Sequence, residues 1–217
     1  MPVRRLVVIA LLLAGVSGCG GSSAGDRQAD PGQATLGAFL HAAAEGDTTL
    51  MRGLLSLPSS GRVSAAALSR LAAKLRPLAG RYSFIVSERI TDDFGLAAVR
   101  GPGAYAAALR KEGESWRLEL AGPMRIMPLG PDPGSREPLV QQIAAEVKGG
   151  SGAGDALLYL DGIAIPQTKV YSAESSFTAL ANLPAPVLVG RHSIVAFAHR
   201  GGNASARAWA FSVGGGG

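Results

Sequence analysis

The sequence predicts an α+β fold, with N-terminal helices packed on an antiparallel sheet over residues 34–121, followed by an all-β sandwich over 139–217. Three observations carry this expectation. Apolar residues recur at helical spacing from Leu36 to Leu78 and then switch to alternation from Tyr82 onward. A stretch rich in proline and glycine, 122–138, separates two regions of different character. Beyond it, short apolar segments are punctuated by turn signals, of which Asp161-Gly162 is the sharpest.

The first element is an address. Arg4 and Arg5 precede an apolar run of eleven residues, Leu6 to Val16, which is too short to span a bilayer and suits the apolar core of an export signal. Val16-Ser17-Gly18-Cys19 follows, and this tetrapeptide resembles the lipobox of bacterial lipoproteins. The resemblance implies removal of residues 1–18 as a signal peptide and a diacylglyceryl group on Cys19, often joined by a third acyl chain. Two or three chains hold a protein to a membrane durably. The implied location is therefore the bacterial cell membrane or outer membrane, with the folded part outside the cytoplasm. Residues 19–33 (CGGSSAGDRQADPGQ) read as the lipidated cysteine and a flexible tether with a span of roughly 20 Å.

Composition narrows the function. Hydrophobic residues make up 47 % and charged residues 17 %, a globular balance. The net charge of +5 falls to +3 once Arg4 and Arg5 are removed, 19 basic against 16 acidic residues, which gives no support to nucleic-acid binding. Cys19 is the single cysteine, so no internal disulfide can form.

In the first region, Leu36, Phe39, Leu40 and Ala43 mark a helix that Gly46 ends. Asp47 caps a short second helix through Leu54–Leu55. Ser64 caps a third, whose stripe is Leu68, Leu71, Leu75 and Leu78, with Pro77 disrupting its last turn. The alternating sets Tyr82/Phe84/Val86, Phe94 to Arg100, Tyr105/Ala107/Leu109 and Trp116/Leu118/Leu120 read as a meander, with Arg117 and Glu119 facing out. This order, with FLHAAAEGD opening and YAAALRKEGESWRLEL closing, resembles the cystatin-like or NTF2-like folds of many bacterial lipoproteins. The resemblance implies anything from isomerases to non-catalytic pockets, so chemistry must be argued from side chains.

Those side chains are sparse. His41 falls off the apolar face of its helix, and Asp92 and Asp93 sit in a turn between strands. Glu88, on the alternation of Phe84 and Val86, is the one carboxylate that could enter a cavity, with Tyr82 and Tyr105 beside it as pocket candidates. No acid/base dyad emerges and no catalytic residue is assigned. From Thr48 to Ser87 there are six basic residues and no acidic one. Arg70, Lys74, Arg76 and Arg81 within it could contact anionic headgroups or wall polymer; a solvated helix face is the simpler account, since Arg70 and Lys74 fall one turn apart on the side away from the leucines.

The 122–138 stretch holds five prolines and three glycines and is expected to be a linker. After it, Ile143, Ala145 and Val147 alternate, although a helix opening at Pro138 fits too. Leu157–Leu160 and Ile163–Ile165 flank Asp161-Gly162 as a hairpin. Phe177–Leu180, Ile194–Ala198 and Arg207–Val213 complete a strand set with turns at Pro184–Pro186 and Gly201-Gly202-Asn203. The run LVGRHSIVAFAHRGGNASARAWAFSV is similar to the closing strands of bacterial immunoglobulin-like surface modules. The match lies at Leu188, Gly190, His192, Gly202, Asn203, Phe211 and Val213. It implies a spacer or adhesion-like module and no chemistry. His192 and His199 fall on opposite faces of one strand, so no metal site is expected, and no cofactor. The expected function is a membrane-anchored, non-enzymatic envelope module that binds or presents a partner, an envelope protein or wall polymer. The alternative is an NTF2-like pocket that binds or isomerises a small apolar ligand.

Overall fold

The computed structural model describes residues 30–149, 154–173 and 175–214; the expected export leader, Cys19 and the expected tether through residue 29 lie outside them. Residues 30–33, expected to belong to the tether, instead cap and open the first helix, where the Asp30 carboxylate accepts the Gly32 N–H. Four helices open the described chain: α1 (Pro31–Glu45), α2 (Thr48–Gly53), α3 (Leu57–Arg62) and α4 (Ala65–Leu75), with a 3-10 turn at Arg76–Leu78. Each α-helix begins on a side chain that accepts an otherwise unpaired backbone N–H. Asp30 serves Gly32, Asp47 serves Thr49 and Leu50, Ser56 serves Ser59, and Ser64 serves Ala67. Gly46 closes α1 in the left-handed conformation at φ 75°. α3 was not expected; Leu57-Pro-Ser-Ser-Gly-Arg62 has too little apolar content to show a period, and its local signals are only its cap Ser56 and Pro58 in the first turn.

Strands β1 (Ser83–Arg89), β2 (Phe94–Arg100), β3 (Ala104–Glu112) and β4 (Ser115–Glu119) form an antiparallel meander in chain order. One face packs on the helices: Leu36, Phe39, Leu40, Met51, Leu68 and Leu75 are buried against Ala97, Val99, Ala107, Leu109 and Leu118. The expected alternation of Phe84, Val86 and Glu88 on one face does not hold. The β1–β2 register shifts between Phe84 and Val86, and this bulge leaves Phe84 on the helix side while sending Val86 to the other.

The second half comprises β5 (Arg125–Gly130), β6 (Arg136–Glu137), β7 (Gln142–Lys148), β8 (Gly154–Leu160), β9 (Ile163–Ala164), β10 (Lys169–Ser172), β11 (Ser176–Asn182), β12 (Gly190–Arg200) and β13 (Asn203–Val213). They make two sheets, β10-β11-β7-β5 and β6-β13-β12-β8-β9, antiparallel except for the β6–β13 pair. Between the sheets lie Ile143, Val147, Leu158, Phe177, Ile194, Trp209 and Phe211. Residues 143–147 thus take the strand option. The stretch 122–138 is more than a connector, since β5 pairs with β7 and β6 with β13. Proline is tolerated in β5 because this is an edge strand, where Pro128 has no neighbour on its outer side to leave unbonded.

The chain is α+β and rich in mostly antiparallel sheet. Its two halves are joined by a third apolar core. Val86, Phe94, Leu96, Ala98, Ala106 and Ala108 of the meander pack against Tyr159, Val195, Phe197 and Ala204 of the β12-containing sheet. Four layers result: helices, meander, and the two sheets of the second half. Among the described residues no helix is long and apolar enough to cross a membrane.

Candidate functional site at the seam

The three pocket candidates do not converge. Tyr82 packs edge-on against Phe84, centroids 5.6 Å apart, and lines a hollow of about 660 Å³ with Arg81, Ser83, Arg100 and Arg191. Tyr105 lines a different cleft of about 640 Å³, which Lys74 also borders. Burial raises the Tyr105 phenol well above its ordinary pKa. Glu88 borders a third, smaller hollow of about 200 Å³ beside Asp30, Lys111 and Trp116. Its carboxylate crosses the seam to accept a hydrogen bond from the Tyr159 hydroxyl. That phenol is raised too, by burial first and then by the Glu88 carboxylate that holds its proton.

The cleft beside Tyr105 has a simple origin. Ala104 and Ala106 of β3 stand opposite Ala206, Ala208 and Ala210 of β13, whereas the closed part of the seam is filled by Phe94, Leu96, Tyr159 and Phe197. Two sheet faces walled by methyl groups cannot close the space that rings fill elsewhere.

Polar side chains bind the rim of the seam. Arg100 pairs with Asp161 at 3.2 Å, Arg110 donates to the Gly202 carbonyl at 2.8 Å, and Arg191 donates to the Pro102 carbonyl at 2.6 Å. Asp161 is the hub. One carboxylate oxygen accepts the Ser193 N–H at 3.0 Å, and the other lies 2.7 Å from His192 Nδ1. His192 Nε2 lies 2.7 Å from the Leu188 carbonyl. Both ring nitrogens thus face acceptors, and the side chain is fixed between the β8–β9 turn and the segment before β12.

Glu119, expected to face solvent, is buried. It lies on the face of β4 opposite Leu118, but the start of α3 and Arg110 of β3 cover it there. Its carboxylate accepts from Ser56 Oγ at 3.0 Å, Ser59 Oγ at 2.9 Å and Arg110 Nε at 2.7 Å. The remaining candidates, the two β12 histidines apart, are surface groups. His41 faces Glu45 one turn on at 3.3 Å, and Asp92 pairs with Arg89 in the β1–β2 turn. His199 stacks between Phe94 and Phe197 on the seam side of β12, while His192 lies against Phe211 on the other. Arg70, Lys74, Arg76 and Arg81 are all exposed. Arg81 meets Arg100 and Arg191 around the larger hollow, a cluster built from both halves. Arg100 and Arg191 were missed because their charge is meaningful only once the seam brings distant segments together.

No family model matches the chain, and no curated protein matches it. Among solved structures it is similar to PcoC, a methionine-rich copper resistance protein from Escherichia coli, at 14 % identity and a TM-score of 0.29, over 38 % of this chain and 89 % of that one. It is also similar to the endo-beta-1,4-mannanase from Thermotoga petrophila, at 11 % identity and a TM-score of 0.33, over 70 % of this chain and 24 % of that one. Likenesses of this size leave function to the side chains.

Proposed function

We propose that this chain is a lipid-anchored cell-envelope protein whose folded part is a non-catalytic interaction or scaffold module. In this reading an NTF2-like or cystatin-like unit is fused to an immunoglobulin-like sandwich. The layout of helices on one face of a meander supports the first assignment, and two sheets facing across one apolar core, with the β12–β13 hairpin ending the chain within one of them, support the second. The Val16-Ser17-Gly18-Cys19 motif supports the anchor. The observation that carries the non-catalytic reading is the employment of the seam's polar groups. Glu88, Glu119, Asp161 and His192 are each engaged by structural partners. These bonds tie the side chains to neighbouring strands and loops and give each a role in holding the seam together. The anchor is tested by expressing the full chain and its Cys19→Ser variant in a bacterium. The parent is expected in the membrane fraction with lipid mass on its N-terminal peptide, and the variant in the soluble fraction. An unmodified thiol in a soluble parent overturns the anchor.

The alanine-walled cleft supports a second reading, a pocket for a small apolar ligand, because about 640 Å³ lies within the range of ordinary ligand sites. Titration with the apolar dye 1-anilinonaphthalene-8-sulfonate should then saturate at one site per chain. Ala206→Trp, which fills the cleft, should abolish that binding. Dye binding unchanged by the tryptophan removes this second reading.

A further inference from the structure

Ile163, Leu188 and Val189 are 74 %, 80 % and 73 % exposed, large apolar side chains of the kind a folded protein usually covers. They sit together at one end of the molecule. Leu160 pairs with both Ile163 and Ile194, and Gly190 with Val213, so the β8–β9 turn and the segment before β12 emerge at the same strand ends. Neither segment hangs loose. The Leu188 carbonyl is held by His192, the Val187 N–H donates to the Val140 carbonyl at 3.0 Å, and the Asp161 carboxylate bridges His192 and Ser193. The fold displays these side chains on a fixed platform.

Beside them lies the hollow lined by Arg81, Arg100 and Arg191. Asp161, the acidic residue within this group, is already matched by Arg100 and His192, which leaves the positive charge of Arg81 and Arg191 outward. Glu137 stands near these same strand ends, because Val213 pairs with both Glu137 and Gly190; with Asp132 it lines a hollow beside Leu129 and Leu139, on the β6 side of the sheet away from β8 and Asp161. Apolar side chains projecting from fixed turns beside arginines match the two layers of a lipid surface, acyl chains below and anionic headgroups above.

We propose that this end docks on an anionic lipid bilayer, with Leu188, Val189 and Ile163 entering the headgroup layer and Arg81 and Arg191 contacting lipid phosphates. The proposal rests on the lipid anchor proposed above, since the anchor keeps the face near lipid at high local concentration and weak contacts then suffice to set the pose. Asp30 lies at the other end of the meander, beside Lys111 and Trp116. Ala104 to Glu112 of β3 spans about 26 Å, and the eleven steps from Cys19 to Asp30 reach at most about 38 Å. The tether is long enough for the body to lie back over its own anchor.

The test uses the lipidated chain, in which Cys19 is consumed as a thioether, so that a second cysteine is the only free thiol. Leu188→Cys and, at the far β3–β4 turn, Glu114→Cys are each labelled with nitrobenzoxadiazole. They are then mixed with vesicles of phosphatidylglycerol and phosphatidylcholine carrying nitroxide lipid. The label at 188 should shift to the blue and be quenched at least about twofold more than the label at 114, with the difference collapsing in high salt. Arg81→Glu, at an exposed position, should weaken the quenching in the same direction. Vesicles that carry the protein while the label at 188 stays in water overturn the docking and leave the anchor standing. Protein that does not float with vesicles overturns the anchor, and this proposal with it.

Discussion

Glu119 shows how one residue can be essential to a fold without touching a ligand. Its side chain is 2 % exposed, and Arg110, 21 % exposed, both pairs with it and lies over the Phe94 ring at 4.9 Å. Two serine hydroxyls from the start of α3 complete the carboxylate's shell. Glu119→Ala strands a guanidinium and two hydroxyls, so it should cost about 3–5 kcal/mol of unfolding free energy in urea titration. Glu119→Gln keeps an acceptor and should cost less; equal losses for the two would refute a charge-centred role. Tyr159 and Tyr105 make a prediction about alkali. Both phenols are held neutral in the fold, so below the ordinary tyrosine pKa of about 10 their contribution is complete. As pH rises past about 10, the unfolded chain ionises first and binds fewer protons than the fold, and stability falls. The double variant Tyr105→Phe/Tyr159→Phe should be less stable at neutral pH but flatter in its loss between about pH 10 and 12. An unchanged alkaline slope would assign the loss to other groups.

At the scale of elements, local signals carry far. The caps Asp47 and Ser64, the stop at Gly46 and the Asp161-Gly162 turn all lie where residue chemistry places them, because each depends on neighbours within four residues. Ser64→Ala should therefore cost about 1 kcal/mol, read as a lowered urea midpoint with unchanged slope. A change in slope would mean that α4 had loosened altogether. What eluded the sequence has physical reasons of two kinds. The bulge at Ile85 and the edge strand holding Pro128 break the rule of alternation or of composition locally, and only their partner strands make them tolerable. The seam was hidden more thoroughly. Its meander wall includes Ala98, Ala106 and Ala108, residues equally at home on a surface, and Phe94 begins its strand. The arginine cluster inherits that illegibility, since Arg81, Arg100 and Arg191 meet only across the joined halves. Glu88 is parted from Tyr82 and Tyr105 because the meander has two buried faces: the tyrosines pack on the helix side and border different hollows, while Glu88 reaches across the seam.

For the whole molecule, the seam decides whether there are one or two folding units. Phe197 and Leu96 are fully buried there, and Gly162 packs so tightly on the meander that an added Cβ would lie 2.2 Å from the Ile85 carbonyl oxygen, at a φ of 87°. A linker-joined pair would leave such surfaces wet and unfold in two steps. Burial of a continuous apolar face instead couples the halves, so loss of either exposes the other's wall to water. Calorimetry should therefore show one transition with equal calorimetric and van't Hoff enthalpies. Phe197→Ala should lower stability by about 3–5 kcal/mol through the cavity it opens, and Gly162→Ala by about 2–4 kcal/mol through strain and displacement. The decisive feature is the form of the loss. If the seam is structural, each substitution should move the whole transition or split it into two, with the half that melts first exposing apolar dye-binding surface. Two transitions in the parent chain, one of them indifferent to Phe197→Ala, would mean that the halves are independent and that Arg81 and Arg191 share no fixed face.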